Sequence, residues 1–330
     1  MTERLDARRP ADIDRAVELL RRGAIVAFPT ETVYGLGASG LDPAAVARIF
    51  AAKQRPADNP LILHVPDLAA ARPLWRASER EQYRADACAE RFWPGPLTLV
   101  LPKSSCVPPV VTAGLASVGV RAPAHPVARA ILARLGGPVA APSANASGRP
   151  SPTCAEHVLA TLSGRIDAVV DGGPTEVGIE STVVDLTGTP TVLRPGSISH
   201  EELSDALGER VAPFAADRPA RASPGLRHRH YAPAVDRIEV RDHRDIDDEW
   251  TGTAALLLFA STHARLRERH GERSAPVRIL ADDSHLAMRG LYAALYDLER
   301  SSARRLVIEL PPSTTAWEAV RDRLRRAAGD

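Results

Sequence analysis

A set of short polar stretches holds most of the side chains that could do chemistry in this chain. Pro29-Thr-Glu-Thr-Val-Tyr-Gly-Leu-Gly37 places two hydroxyls, a carboxylate and a phenol just after an apolar run. Lys53-Gln-Arg55 and Asn59 close a helical segment, and His64 ends the next strand-like run. Val118-Gly-Val-Arg121 puts an arginine at a strand end, and Ser143-Ala-Asn145 follows another strand. Gly178-Ile-Glu-Ser-Thr182 and Arg194-Pro-Gly196 complete the set. Ligands of open α/β sheets collect outside strand ends, so loops of this kind point to one cleft. Hydroxyls with Arg and Lys, and no Cys or paired carboxylates, suit phosphate and carboxylate recognition rather than metal-assisted hydrolysis. No residue reads as a nucleophile.

Plainer readings compete for several of these residues. Cations at a helix C-terminus complement its dipole, which would account for Lys53 and Arg55 without any ligand. Gly35-Leu-Gly37-Ala-Ser-Gly40 matches a dinucleotide fingerprint, but six residues, Pro29 to Tyr34, separate it from the strand that should run straight into it. A turn needing positive φ is the preferred reading of those glycines. Neither of the two lysines, Lys53 and Lys103, follows a glycine, so a Walker A loop is excluded. His228 and His230 lack further ligands nearby and read as solvent-exposed linker histidines rather than a metal site.

The elements that must position these loops alternate helix and strand over the first 210 residues. Helices are expected from Ala11 to Arg22, from Pro43 behind an Asp42 cap to Ala52, behind a Ser78/Glu81 capping box, and from Pro126 to Leu135. Two more are expected behind Thr153/Glu156 and Ser199/Glu202. Strands are expected at 24–28, 61–65, 97–101, 118–121, 139–141 and 166–170, with a closing hairpin of 181–185 and 191–193. Residues 211–234 lose large apolar side chains and read as a linker. Strands at 237–240, 254–260, 277–280 and 305–310 then alternate with helices at 262–270 and 285–303, predicting a small parallel sheet.

Composition narrows the classes. With 330 residues, two domains are expected. A formal net charge of +1 gives no global field for nucleic acid, although a local basic cleft stays open. The charged first fifteen residues hold no secretory h-region, and no apolar stretch would span a bilayer, so a cytoplasmic location and no membrane partner are expected. Cys88, Cys106 and Cys154 show neither disulfide nor zinc spacing. Only two asparagines, Asn59 and Asn145, occur in the chain, and both lie in the polar stretches, as does Lys53.

PTETVYGLG, KxR, the SxN of APSANASGRPSPT, ESTVVD and RPG together closely resemble the signatures of YrdC-like threonylcarbamoyl-adenylate synthases. Ser223-Pro-Gly-Leu-Arg-His-Arg-His-Tyr-Ala-Pro233 resembles the linker of their two-domain members, with Arg227 and Arg229 in place of the usual lysines. The resemblance spans nearly the whole chain. It implies an α/β fold: a YrdC-like twisted mixed sheet with helices and a ligand cleft at 1–210, a linker or lid at 211–234, and a smaller Rossmann-like parallel α/β domain at 235–330. It also implies synthesis of threonylcarbamoyl-AMP from L-threonine, bicarbonate and ATP, with Mg2+ accompanying the nucleotide. Downstream proteins would transfer the group to adenosine beside the tRNA anticodon, and direct tRNA contact is possible.

Carried over by position, Thr32, His64, Arg121, Ala141 and Ser181 would line the threonine pocket, with Arg121 forking its carboxylate. Lys53, Arg55, Asn59, Ser117, Ser143, Asn145, Ser151 and Arg194 would hold ATP, with Tyr231 reaching over it from the linker. Ser117 stands where the family often has threonine. Two other classes stay open: a carbamoyl-phosphate-dependent carbamoyltransferase, whose acylphosphatase-like and zinc segments are absent here, and an RNA-binding module without catalysis.

Overall fold

The computed structural model describes residues 1–215, 230–301 and 303–329, and its contacts divide the chain into two compact units. The first comprises 1–147, 152–176 and the residues from Glu180 onward as far as 215. Its sheet runs, in spatial order, through Glu3–Asp6, Ala168–Asp171, Val26–Pro29, Tyr34–Ser39, Val139–Ala140, Ile62–His64, Ser117–Arg121, Leu97–Pro102, Thr182–Asp185 and Thr191–Arg194. Parallel and antiparallel neighbours are mixed.

Side chains alternate across this sheet, so Ile25 and Ala27 face one core while Val26 and Phe28 face another. The first core is closed by the helices Pro43–Lys53 and Glu79–Phe92. The second is closed by Pro10–Arg21 and Pro126–Leu135. The expected caps form at Asp42, whose carboxylate accepts from the Ala44 and Ala45 amides, and at the Ser78/Glu81 and Ser199/Glu202 boxes. The cap expected from Thr153 and Glu156 does not. Cys154 precedes the helix Ala155–Leu162 instead, the Thr153 hydroxyl lies 3.3 Å from His157 Nδ1, and Glu156 pairs with Arg4 at 2.6 Å.

The glycines of GLGASG also depart from expectation. None has positive φ, and Gly35 and Gly37 lie within the strand Tyr34–Ser39. Close packing requires them: a Cβ on Gly37 would stand 2.6 Å from Phe28 Cε1, and one on Gly40 2.8 Å from Leu63 Cδ2.

The second unit carries the parallel sheet in the order Arg237–Arg241, Arg305–Glu309, Ala255–Phe259, Val277–Leu280. Its core gathers Ile246, Trp250, Leu256, Leu258, Leu266 and Val307. Residues Gly148–Ser151 and Val177–Ile179 also belong to this unit. Tyr296 Oη donates to the Pro150 carbonyl at 2.8 Å and the Ala232 amide to that of Gly148 at 2.9 Å. Most of the expected linker, 216–229 and with it His228, lies outside the described residues. His230 is buried rather than solvent-exposed, its ring 4.1 Å from that of Tyr231. Among the described residues no helix is long and apolar enough to cross a membrane.

Candidate functional site

Strand register brings several of the predicted residues to one end of neighbouring strands inside the first sheet. Ile62–His64 and Ser117–Arg121 run parallel with His64 opposite Arg121. Leu97–Pro102 runs antiparallel to the latter and parallel to Thr182–Asp185, so Leu97 sits opposite Thr182, directly after Ser181. His64, Arg121 and Ser181 therefore meet as consequences of pairing rather than of sequence proximity.

Arg121 is buried, and three of its groups are already engaged. Nε donates to the Gly95 carbonyl at 3.1 Å and Nη1 to Thr32 Oγ1 at 2.8 Å. Nη2 approaches Glu31 Oε1 to 2.6 Å as an ion pair, with angles outside hydrogen-bond geometry. Thr32 is held in turn by Thr30 Oγ1 at 2.8 Å. A guanidinium has five N–H donors, of which two are hydrogen-bonded here, leaving enough on Nη1 and Nη2 for a carboxylate fork. Beside it, burial first and then the neighbouring Arg121 charge push the His64 imidazole down to about 3. His64 is thus neutral near pH 7, and its buried Nδ1 has no hydrogen-bond partner among the described residues.

A second cluster forms around Lys53. This residue does end the helix Pro43–Lys53, and Gln54 takes the left-handed conformation that stops it. The ammonium is buried, however, and donates to the carbonyls of Ser143 and Asn145. Burial, and secondarily Arg55, hold it well below the usual lysine range, while Glu180 opposes that shift. Arg55 donates through Nε to the Asn59 carbonyl at 3.1 Å, and through Nη2 to Asn59 Oδ1 at 2.6 Å and the Pro60 carbonyl at 2.8 Å. Ser143 is placed by its bridge to Gly35, and Ala141 by its amide, which donates a hydrogen bond to the Ile62 carbonyl at 3.0 Å.

The third cluster centres on Ser181. Its hydroxyl is 2.8 Å from Thr98 Oγ1 and accepts from Arg194 Nη2 at 3.0 Å, while Arg194 Nε donates to its carbonyl at 3.1 Å. A small groove that includes Thr98 is lined also by Pro60, Ile62, Ser117, Gly119 and Val183. Ser151 and Tyr231 fall in the second unit. There Tyr231 is buried with φ 65°, its ring 5.6 Å from that of Tyr292 and under the Arg323 guanidinium at 5.5 Å. Three site-lining groups are absent from the sequence-based set: Glu31, Thr98 and the buried Glu180. Glu31 and Glu180 each carry a visible signal, a carboxylate beside hydroxyls in the PTETVYGLG and ESTVVD runs, whereas Thr98 carries none.

Cation and hydroxyl clusters on a mixed sheet, followed by a small parallel α/β unit, define a two-domain YrdC-like protein. Residues 18–196 match the family model described as Telomere recombination, and residues 198–329 match the Threonylcarbamoyl-AMP synthase C-terminal domain. The threonylcarbamoyl-AMP synthase of Pyrococcus abyssi is 42% identical over 95% of this chain and 93% of its own length. That of Bacillus subtilis is 39% identical over 100% of this chain and 96% of its own. The crystal structure of P. abyssi Sua5 complexed with L-threonine aligns with a TM-score of 0.87 at 39% identity, covering 100% of this chain and 98% of that one. The chain belongs to the threonylcarbamoyl-AMP synthase family.

Proposed function

We propose that this chain joins L-threonine, bicarbonate and ATP into threonylcarbamoyl-AMP and pyrophosphate. The product would pass to proteins that modify adenosine beside the tRNA anticodon, with direct tRNA contact a further expectation. The observation that carries the reading is the buried Arg121, held by Thr32, Gly95 and Glu31 with donors left for a carboxylate, in the same unit as the Lys53–Arg55–Asn59 cluster.

In this reading Arg121 forks the threonine carboxylate while Thr32, His64, Ala141 and Ser181 line its pocket. Threonine and bicarbonate form a carbamate with loss of water, and a carbamate oxygen attacks the α-phosphorus of ATP. That oxygen–phosphorus bond forms as the bond to pyrophosphate breaks. No protein nucleophile is needed, so the residues contribute orientation and charge. Lys53, Arg55 and Arg194 would neutralise phosphate oxygens, with Asn59, Ser117, Ser143 and Asn145 fixing the nucleotide. His64 enters as a neutral imidazole, so it orients without adding charge. These donors suit a Mg2+ that arrives on the triphosphate and is held by phosphate oxygens and water, where it would neutralise developing charge. Pyrophosphate release with threonine, with serine and with no amino acid, each with and without bicarbonate, tests the reading. Release should require both threonine and bicarbonate; release independent of either overturns it.

A further inference from the structure

We infer that Glu31 is a positioning residue for substrate carboxylate capture: it locks the Arg121 guanidinium in the one rotation that leaves a two-donor fork open. The inference rests on the threonine-binding reading of Arg121 given above. Glu31 lies in the turn after the strand Val26–Pro29 and is 5% exposed, a depth at which a carboxylate must be partnered. Its two oxygens point at different elements. Oε2 accepts the Ala124 amide at 3.0 Å, fixing the carboxylate to the segment that follows Ser117–Arg121. Oε1 meets Arg121 Nη2 at 2.6 Å.

An arginine side chain at a strand end could turn about its last torsions. Here the Gly95 carbonyl takes Nε, Thr32 takes Nη1 and Glu31 takes Nη2, so each nitrogen of the planar group has its own fixed partner. Thr32 is neutral and the Gly95 carbonyl grips only the Nε side. Among the described residues Glu31 is the one charged restraint on the fork, and its anchor to Ala124 makes that restraint rigid. Its charge also balances a buried guanidinium until substrate arrives.

Glutamine at this position supplies one carbonyl oxygen where two acceptors are needed, so either Ala124 or Arg121 loses its partner. The test is a double-mutant cycle on threonine KM, ATP KM and kcat, using the full chain with Glu31→Gln, Arg121→Lys and the pair. Glu31→Gln should raise threonine KM about tenfold or more with little change in ATP KM, as expected when one charged contact is disturbed. In the Arg121→Lys background the same change should have almost no further effect, because the fork is already gone. Glu31→Asp keeps the charge and should restore part of the loss; it enters the cycle if Glu31→Gln fails to fold. Additive effects on threonine KM, or a lowered melting temperature with unchanged threonine KM, overturn the inference and leave Glu31 a structural ion pair. Failure of the wild-type chain to use threonine at all would instead overturn the functional reading on which it rests.

Discussion

Lys53→Met separates the two jobs that a buried lysine in this position could have. Methionine keeps most of the four-carbon stem, so the cavity term is small, and it deletes only the ammonium. The deletion removes the bonds to the Ser143 and Asn145 carbonyls, charge-assisted contacts worth about 1.5–3 kcal/mol each before compensation. It also removes the cost of burying the charge, which is large enough to hold Lys53 well below its usual range. These terms oppose, so the ligand-free protein should change by no more than about 2 kcal/mol. The ATP response should change more. At ATP equal to 100 times its Kd the wild type gains about 2.7 kcal/mol of stability. Losing one charged phosphate contact of about 1.5–3 kcal/mol should cut that gain to between about 0.3 and 1.3 kcal/mol at the same concentration. Calorimetric melting with and without ATP measures both quantities. The pH dependence supplies an independent reading. The folded group titrates below its unfolded value of 10.5, so in that interval the unfolded chain binds more protons and stability rises with pH. Lys53→Met should flatten that rise. A variant that keeps the full ATP gain refutes the phosphate assignment and returns Lys53 to a purely structural role.

Three further outcomes follow from the same geometry. Arg121→Ala should weaken threonine binding about 10- to 150-fold while leaving ATP affinity nearly intact, as titration calorimetry would show. His64 titrates at about 3 when folded against 6.5 unfolded, so stability is retained above 6.5 and falls as pH drops through that window, by up to roughly 1.4 kcal/mol per pH unit. His64→Gln should flatten this acid limb in pH-resolved denaturant melts. Gly196→Ala would place a Cβ 2.3 Å from the Thr182 amide nitrogen; it should cost about 1–3 kcal/mol and raise threonine KM by displacing the adjoining Ser181, whereas an unchanged melt and KM would contradict the packing.

How much was legible depends on whether an interaction is local. Asp42 with Pro43, Ser78 with Glu81 and Ser199 with Glu202 announce their helices because each cap bonds within three residues of itself. The strand Glu3–Asp6 gives no such notice: it is short and charged, and it exists through pairing with Ala168–Asp171. Tyr34–Ser39 hides because glycine is a poor strand former, and only the approach of Phe28 and Val139 explains why nothing larger fits at Gly37. In the helix Glu318–Ala328 the buried Val320, Leu324 and Ala327 are diluted by arginines. The same division holds at the site. Cations and hydroxyls after strands stand out in a linear reading, but Thr98 looks like any residue of an apolar strand until pairing with Thr182–Asp185 brings its hydroxyl to that of Ser181.

Lys53 also bears on how this chain can change over time. Of its 42 lysine and arginine residues only two are lysine, so arginine is the cation this chain uses almost everywhere. At position 53 arginine would meet a socket: the lysine ammonium ends between two backbone carbonyls, at 1% exposure. A planar guanidinium is wider than an ammonium and would have to displace the Ser143–Asn145 segment to enter. The cation this chain uses almost everywhere else is therefore shut out at this site, and a change of residue 53 has to keep a narrow head on a long stem.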